Sequence, residues 1–230
     1  MAIYLLTFFL GASISSFLNV VAQSVPLNQN WWSRRSACPN CQTILQPWQL
    51  IPIFSYLVQN GRCTKCYKKI PLSYLTVEMA GGIMFTLSLF LPLSARLQAW
   101  LFLSLLITVT LTDLYYRLVP NKILIAFGSI LFLLQPQIAS ALTGFLFFYG
   151  AAIIGKLLWK KETIGGGDIK LYFVIGLVLP IQPLLLSIVF ASGLALFYVL
   201  VNNHNKKQEI PFVPFIAAGS LLSYMLMLIS

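Results

Sequence analysis

Apolar runs of roughly 20 residues recur along nearly the whole chain, and no other feature limits its fold as much. They lie at about Ile3–Val21, Leu72–Leu91, Leu97–Asp113, Asn121–Leu134, Ile138–Trp159, Asp168–Leu179, Leu184–Val201 and Phe212–Ile229. Short polar or proline-bearing breaks separate them, among them Pro92–Arg96, Leu114–Pro120, Gln135–Gln137 and the pair Pro180 and Pro183. A helix satisfies its own backbone polar groups in lipid, so such runs are read as spanning helices. The expected fold is all-α, a polytopic membrane helical bundle of about eight transmembrane helices. Only 9% of residues are charged, against about 25% in soluble domains. The first run has no basic residue ahead of it and reads as a retained span, not a cleaved signal peptide. Its Ser13, Ser15, Ser16 and Asn19 give it a polar face for packing against another helix.

A polar stretch, Ala22–Pro71, follows the first span and holds all four cysteines and six of the fifteen basic residues. Residues 1–71 are expected to form the first span plus a small cytoplasmic loop domain, and residues 72–230 a seven-span core. Basic residues orient membrane proteins by staying inside. With the N-terminus outside, fourteen of the fifteen fall on or beside the inside loops 22–71, 114–121, 160–167 and 202–211, and only Arg96 falls outside. The net charge of +10 is thereby an orientation signal, and no nucleic-acid partner is needed to explain it. Lipid is the implied surrounding.

Cys38-Pro-Asn-Cys41 and Cys63-Thr-Lys-Cys66 are two C-x2-C pairs twenty-one residues apart. Four thiolates on paired turns suit tetrahedral zinc, and four protein ligands leave no open position for catalysis. Disulfides are the competing reading; a cytoplasmic loop argues against them. A structural zinc on Cys38, Cys41, Cys63 and Cys66 is expected.

The chain has five acids, Glu78, Asp113, Glu162, Asp168 and Glu209, and one histidine, His204. One histidine in a polar loop cannot build a multi-histidine metal centre, and no G-x-S-x-G is present. Asp113 closes one span and Asp168 opens another, after Gly165, Gly166 and Gly167, so the topology places both aspartates at one depth on one side. Each could be a helix-end residue, but an acid at a helix C-terminus opposes the dipole, which counts against that for Asp113. Two carboxylates that share a proton and activate water are the machinery of an aspartic protease. The same dipole argument makes Asp168 the ionised base and Asp113 the protonated acid. A transporter or channel using the two carboxylates is the alternative from another class.

The motifs together resemble those of the type IV prepilin peptidases. Ser16-Phe-Leu-Asn-Val-Val21, the cysteine region with Pro52–Leu57 and Gly61-Arg62-Cys63, Tyr74-Leu-Thr-Val-Glu78, Asp113 seven residues before Pro120, and Glu162 to Leu171 built on Gly165-Gly-Gly167-Asp168 carry the likeness. Ser15, Ser24, Gln49-Leu50-Ile51 and Asn121 depart from the family's usual residues. The resemblance implies an aspartic endopeptidase of the bacterial plasma membrane with Asp113 and Asp168 catalytic and Gly165–Gly167 as the active-site loop. It implies pilin-like or pseudopilin precursors as substrates, cut after a glycine at the cytoplasmic face. It also implies N-methylation of the new N-terminus with S-adenosylmethionine; the first three departures lie in the part linked to that activity.

Overall fold

In the computed structural model, which describes residues 1–29, 35–134, 136–160, 164–201 and 210–229, helices account for the apolar runs. They are α1 (Ala2–Ser24), α2 (Phe54–Val58), α3 (Leu72–Leu87), α4 (Leu93–Tyr116), α5 (Asn121–Leu134), α6 (Ile138–Trp159), α7 (Gly166–Gly176), α8 (Ile181–Val201) and α9 (Val213–Ile229). Among the described residues there is no strand, only two isolated antiparallel bridges. Five helical segments, Ala2–Ser24, Leu72–Phe90, Leu93–Tyr116, Ile138–Leu158 and Ile181–Val201, are long and apolar enough to cross a membrane; α5 and α9 are shorter apolar helices. The remaining expected span, α7, has 11 residues. At 1.5 Å per residue it covers roughly 16 Å, about half the hydrocarbon thickness. Glu162, Glu209, His204, Lys161, Lys206, Lys207 and Arg34 lie outside the described residues.

The chain forms two compact units, Met1–Thr108 and Val109–Ser230. Composition divides it at 71/72 instead, because sequence marks where polarity changes and not which helices pack together. In the first unit α3 lies along α1, and the contact is made by small residues. A Cβ on Gly81 would stand 1.7 Å from the Ser15 hydroxyl, and one on Gly11 would stand 2.8 Å from the Gly81 carbonyl. Between lipid-facing helices, such close backbone approach is the main source of association, since apolar burial gains little there.

In the second unit the short α7 is the buried centre. Leu171, Tyr172 and Ile175 are fully buried, and Tyr172 stacks on Phe148 of α6 with centroids 4.1 Å apart. A Cβ on Gly176 would meet the Ala141 Cα at 2.6 Å, so α6 and α7 touch backbone to backbone. The end of α7 explains how half a span is tolerated. The carbonyls just past its end are taken up at the start of α6: the N–H of Gln137, which caps α6, donates to the Leu177 carbonyl (3.1 Å) and the Ser140 hydroxyl to that of Leu179 (2.6 Å). Non-helical backbone at membrane depth is stable only when protein satisfies it in this way.

Candidate active site

Both aspartates lie in the second unit, and each faces the start of a helix. Gly165 caps α7 with extended backbone (φ −65°, ψ 135°), and Gly166, Gly167 and Asp168 are its first three residues. Asp168 therefore stands in the first turn, where the positive end of the helix dipole favours a carboxylate. Its side chain folds back over the cap: a Cβ on Gly165 would lie 3.5 Å from Oδ2.

Asp113 is buried one turn before the end of α4, which closes with Arg117 in left-handed backbone and its N–H on the Asp113 carbonyl at 2.8 Å. Its Oδ2 accepts a 3.1 Å hydrogen bond from the N–H of Val213, the first residue of α9. That amide is one of the four a helix start leaves without an internal partner. The Arg117 guanidinium places a positive charge near Asp113, and Asp113 in turn is the charged neighbour of Asp168. Lys170 pairs with neither carboxylate; its Nζ donates to Asn121 Oδ1 at 3.0 Å, tying the first turn of α5 to the second turn of α7. Beside α7 opens a cleft of about 750 Å³ between α5, α6 and α7. Asn121 and Lys170 mark its polar end, and Leu124, Phe132, Phe145 and Leu177 line the rest.

Two expectations change here. The three glycines are not a loop ahead of the helix: they are its cap and first turn, and none has positive φ. The reason is that Asp168 itself sits in the first turn, so the helix has to begin before it. The dipole asymmetry between the acids also disappears. Asp113 is at the C-terminal end of its own helix but receives the N-terminus of α9. Sequence reasoning passed over Val213, whose role depends on a contact 100 residues away; Pro214 in the next position was the available signal that a helix starts there.

The four thiols lie in the first unit, all within 4.8 Å of one another, and form the one cluster of metal-ligating side chains among the described residues. The two C-x2-C turns fold alike. In each, the first cysteine accepts an N–H four residues on (Gln42 to Cys38, 2.9 Å; Tyr67 to Cys63, 3.0 Å), and that residue takes left-handed backbone (φ 56° at Gln42, 57° at Tyr67). The Cys38–Cys66 and Cys41–Cys63 sulfur distances are both 3.9 Å, far beyond the roughly 2 Å of a disulfide. A tetrahedron of metal–sulfur bonds of about 2.3 Å has edges of about 3.8 Å, so the set is shaped for a zinc-sized ion. The Thr43 hydroxyl and then its amide push the Cys41 thiol down to about 6, and the amides of Cys66 and Lys65 lower that of Cys63. These donors stabilise thiolate, the form that binds metal. Glu78, buried in α3, fixes the loop to the helix by accepting the Ile53 N–H at 2.7 Å; Ile53 holds positive φ (65°), costly for a β-branched residue.

Two family models match the chain, the Bacterial Peptidase A24 N-terminal domain over residues 9–91 and the type IV leader peptidase family over residues 100–200. A relative from Bacillus subtilis (strain 168), a prepilin leader peptidase/N-methyltransferase, is 37% identical over 238 residues, covering 95% of this chain and 92% of its own length. The chain belongs to the type IV leader peptidase family. Relatives of the same name from Burkholderia pseudomallei (strain 1026b) and Pseudomonas aeruginosa are each 29% identical, covering 91% and 97% of this chain and 81% and 90% of their own. No solved structure matches it.

In this member of the leader peptidase family the glycines make different demands. A Cβ on Gly166 meets nothing within 4 Å, whereas one on Gly167 would meet the Val119 Cβ at 3.0 Å. Gly166→Ala should leave the fold intact and raise stability by up to about 1 kcal/mol through helix propensity. Gly167→Ala should push the first turn of α7 off Val119, displace Asp168 and lower turnover by about tenfold or more, since small misplacements of reacting groups are costly. Thermal unfolding and cleavage rates of the two variants check this.

Val213→Pro removes the donor, exchanges one small buried apolar side chain for another and keeps a residue that suits a helix start. Cleavage should fall and its pH profile should move, with circular dichroism unchanged. An unmoved profile would mean that the Val213 N–H does not tune the acid.

Proposed function

We propose that the chain is an integral-membrane aspartic endopeptidase that removes the leader from type IV prepilins or pseudopilins. The observation that carries this is that Asp113 and Asp168 stand in one compact unit, each met by a helix N-terminus. Two adjacent carboxylates do not readily ionise together, so the pair holds one proton between them. The ionised member takes a proton from water as the water oxygen attacks the scissile carbonyl, and the protonated member gives its proton to the carbonyl oxygen. Collapse of the tetrahedral intermediate returns a proton to the leaving nitrogen. With a helix start at each carboxylate, dipoles do not decide which acid plays which part.

The apolar cleft runs away from Asp168 along α7, with its polar end two residues past that aspartate. It offers a seat for the hydrophobic helix that would follow the scissile bond. We place the cleavage site at the cytoplasmic face of a bacterial plasma membrane, on the basic-residue asymmetry, and zinc on the four thiolates as a structural ion. Functionally, residues 1–71 would be the first span and zinc loop, and residues 72–230 the peptidase core. N-methylation with S-adenosylmethionine, a methyl donor, would be the second activity. Helices α1 and α3 close on each other at Ser15 and Gly81 and leave no room at that level for a nucleoside-sized ligand.

Co-expression with a pilin-like precursor tests the reading: the precursor should be shortened by its leader. A precursor of unchanged length, with proton or cation flux through the purified protein in liposomes, would favour the transporter. Reporter fusions at Asn60 and Lys160 should read cytoplasmic and one at Ala95 external.

A further inference from the structure

The cysteine loop exposes apolar side chains that nothing in its fold accounts for. From Ser36 to Gly61 the sequence has no charged residue, and the whole loop from Ala22 to Pro71 has no acid. Phe54, Leu57 and Val58 are 51%, 61% and 52% exposed. They stand at i, i+3 and i+4 on α2 and so share one face. The other face is turned inward. Tyr56 donates from its hydroxyl to the Ile70 carbonyl (3.5 Å), and Gln59 accepts from Gln49 (3.2 Å). Gln49 also reaches Thr64 at 3.1 Å, so its exposed neighbours Trp48, Leu50 and Ile51 are braced against the second cysteine turn.

That second turn carries the charge. Arg62, Lys65, Lys68 and Lys69 are all exposed on it. Arg62 and Lys69 form an antiparallel bridge, which sets two cations directly across from each other. Like charges in that relation repel and call for an anion between them. Both ends of the loop run into membrane-length helices, α1 and the segment beginning at Leu72. An apolar stripe beside a cation cluster, tethered at both ends to the bilayer, is the pattern of an interfacial membrane contact.

We propose that the cysteine loop lies in the membrane surface, with the Phe54, Leu57 and Val58 face in the headgroup–acyl boundary and the Arg62–Lys69 cluster on anionic lipid headgroups. The metal site then serves to hold this amphipathic surface in shape, since the loop has no apolar core of its own. Contact with lipid would fix the loop's height against the membrane.

The test places the photo-crosslinker benzoylphenylalanine at Leu57, and separately at Phe54, in the full-length protein, with Gln42 on the first cysteine turn as control. The protein is reconstituted in nanodiscs of phosphatidylcholine with or without phosphatidylglycerol, and adducts are read by mass spectrometry. Positions 57 and 54 should give phospholipid adducts and position 42 should not. The adduct yield should rise by about fivefold or more with phosphatidylglycerol, the factor one basic residue contributes near an anionic surface. Replacing Arg62 and Lys69 together by Gln should remove most of that rise. Adducts to a peptide of this chain or of a second copy, or none at either position, would overturn the proposal. So would a yield indifferent to lipid charge.

Discussion

Asp113→Asn and Asp168→Asn should each abolish precursor cleavage, by about 10³-fold or more, and the double variant should be no worse than either alone. Asn keeps the volume and one acceptor oxygen of Asp but neither ionises nor gives up a proton. Each single change therefore removes one half of a two-proton operation, at the upper end of what general acid–base catalysis supplies. Groups that act as one unit give such non-additive losses. The fold should survive both changes. At position 113 an Asn oxygen can still accept the Val213 N–H, and at either position the repulsion between two acids is relieved. Unfolding midpoints at or above that of the parent protein, with cleavage lost, would be the expected result. Near-parental cleavage by either variant would dismiss the dyad. Glu78→Gln is the informative contrast: it loosens the grip on Ile53 and should act on the cysteine loop, leaving carboxylate chemistry in place.

Much of the fold was legible because lipid imposes a simple rule. A backbone that cannot reach water must be helical, so the apolar runs marked where helices lie, while five of those helices are membrane-length and α5, α7 and α9 are shorter. The C-x2-C pairs were equally readable, as ligand spacing is a local property of the chain. What was not legible depended on contacts between distant residues. The role of the Val213 amide arises only when the start of α9 meets the end of α4. The shortness of α7 is stable only because Gln137, the cap of α6, and Ser140 take up the carbonyls just past its end. Gly167 was noticed as a glycine, yet its reason, the approach of Val119, lies on another segment. The positive φ of Ile53 has no sequence mark at all, for a β-branched residue is among the last expected there.

Cys63→Ser should abolish zinc binding and with it the shape of the cysteine loop. Of the described residues from 35 to 71, only Cys38, Pro52, Gly61 and Cys63 are buried, so the loop has no hydrophobic core to fall back on. In such small domains the ion supplies the folding free energy, on the order of 10 kcal/mol for structural zinc. Serine's hydroxyl does not ionise near neutral pH and is a poor ligand, and three remaining thiolates leave the tetrahedron open. The parent protein should carry one zinc per chain and the variant far less. Trypsin should then cut the variant at Arg62, Lys65 or Lys68, sites that the folded turn protects. Acid should act in the same direction. Zinc binds thiolate, protons compete for it as the pH falls, and the Thr43 hydroxyl and amide that hold the Cys41 thiol down to about 6 delay that competition. Thr43→Val, which deletes the hydroxyl and keeps the amide, should therefore shift zinc release to higher pH. A parent protein with four free thiols and no zinc, or a Thr43→Val release curve unmoved from the parent's, would contradict this account of the site.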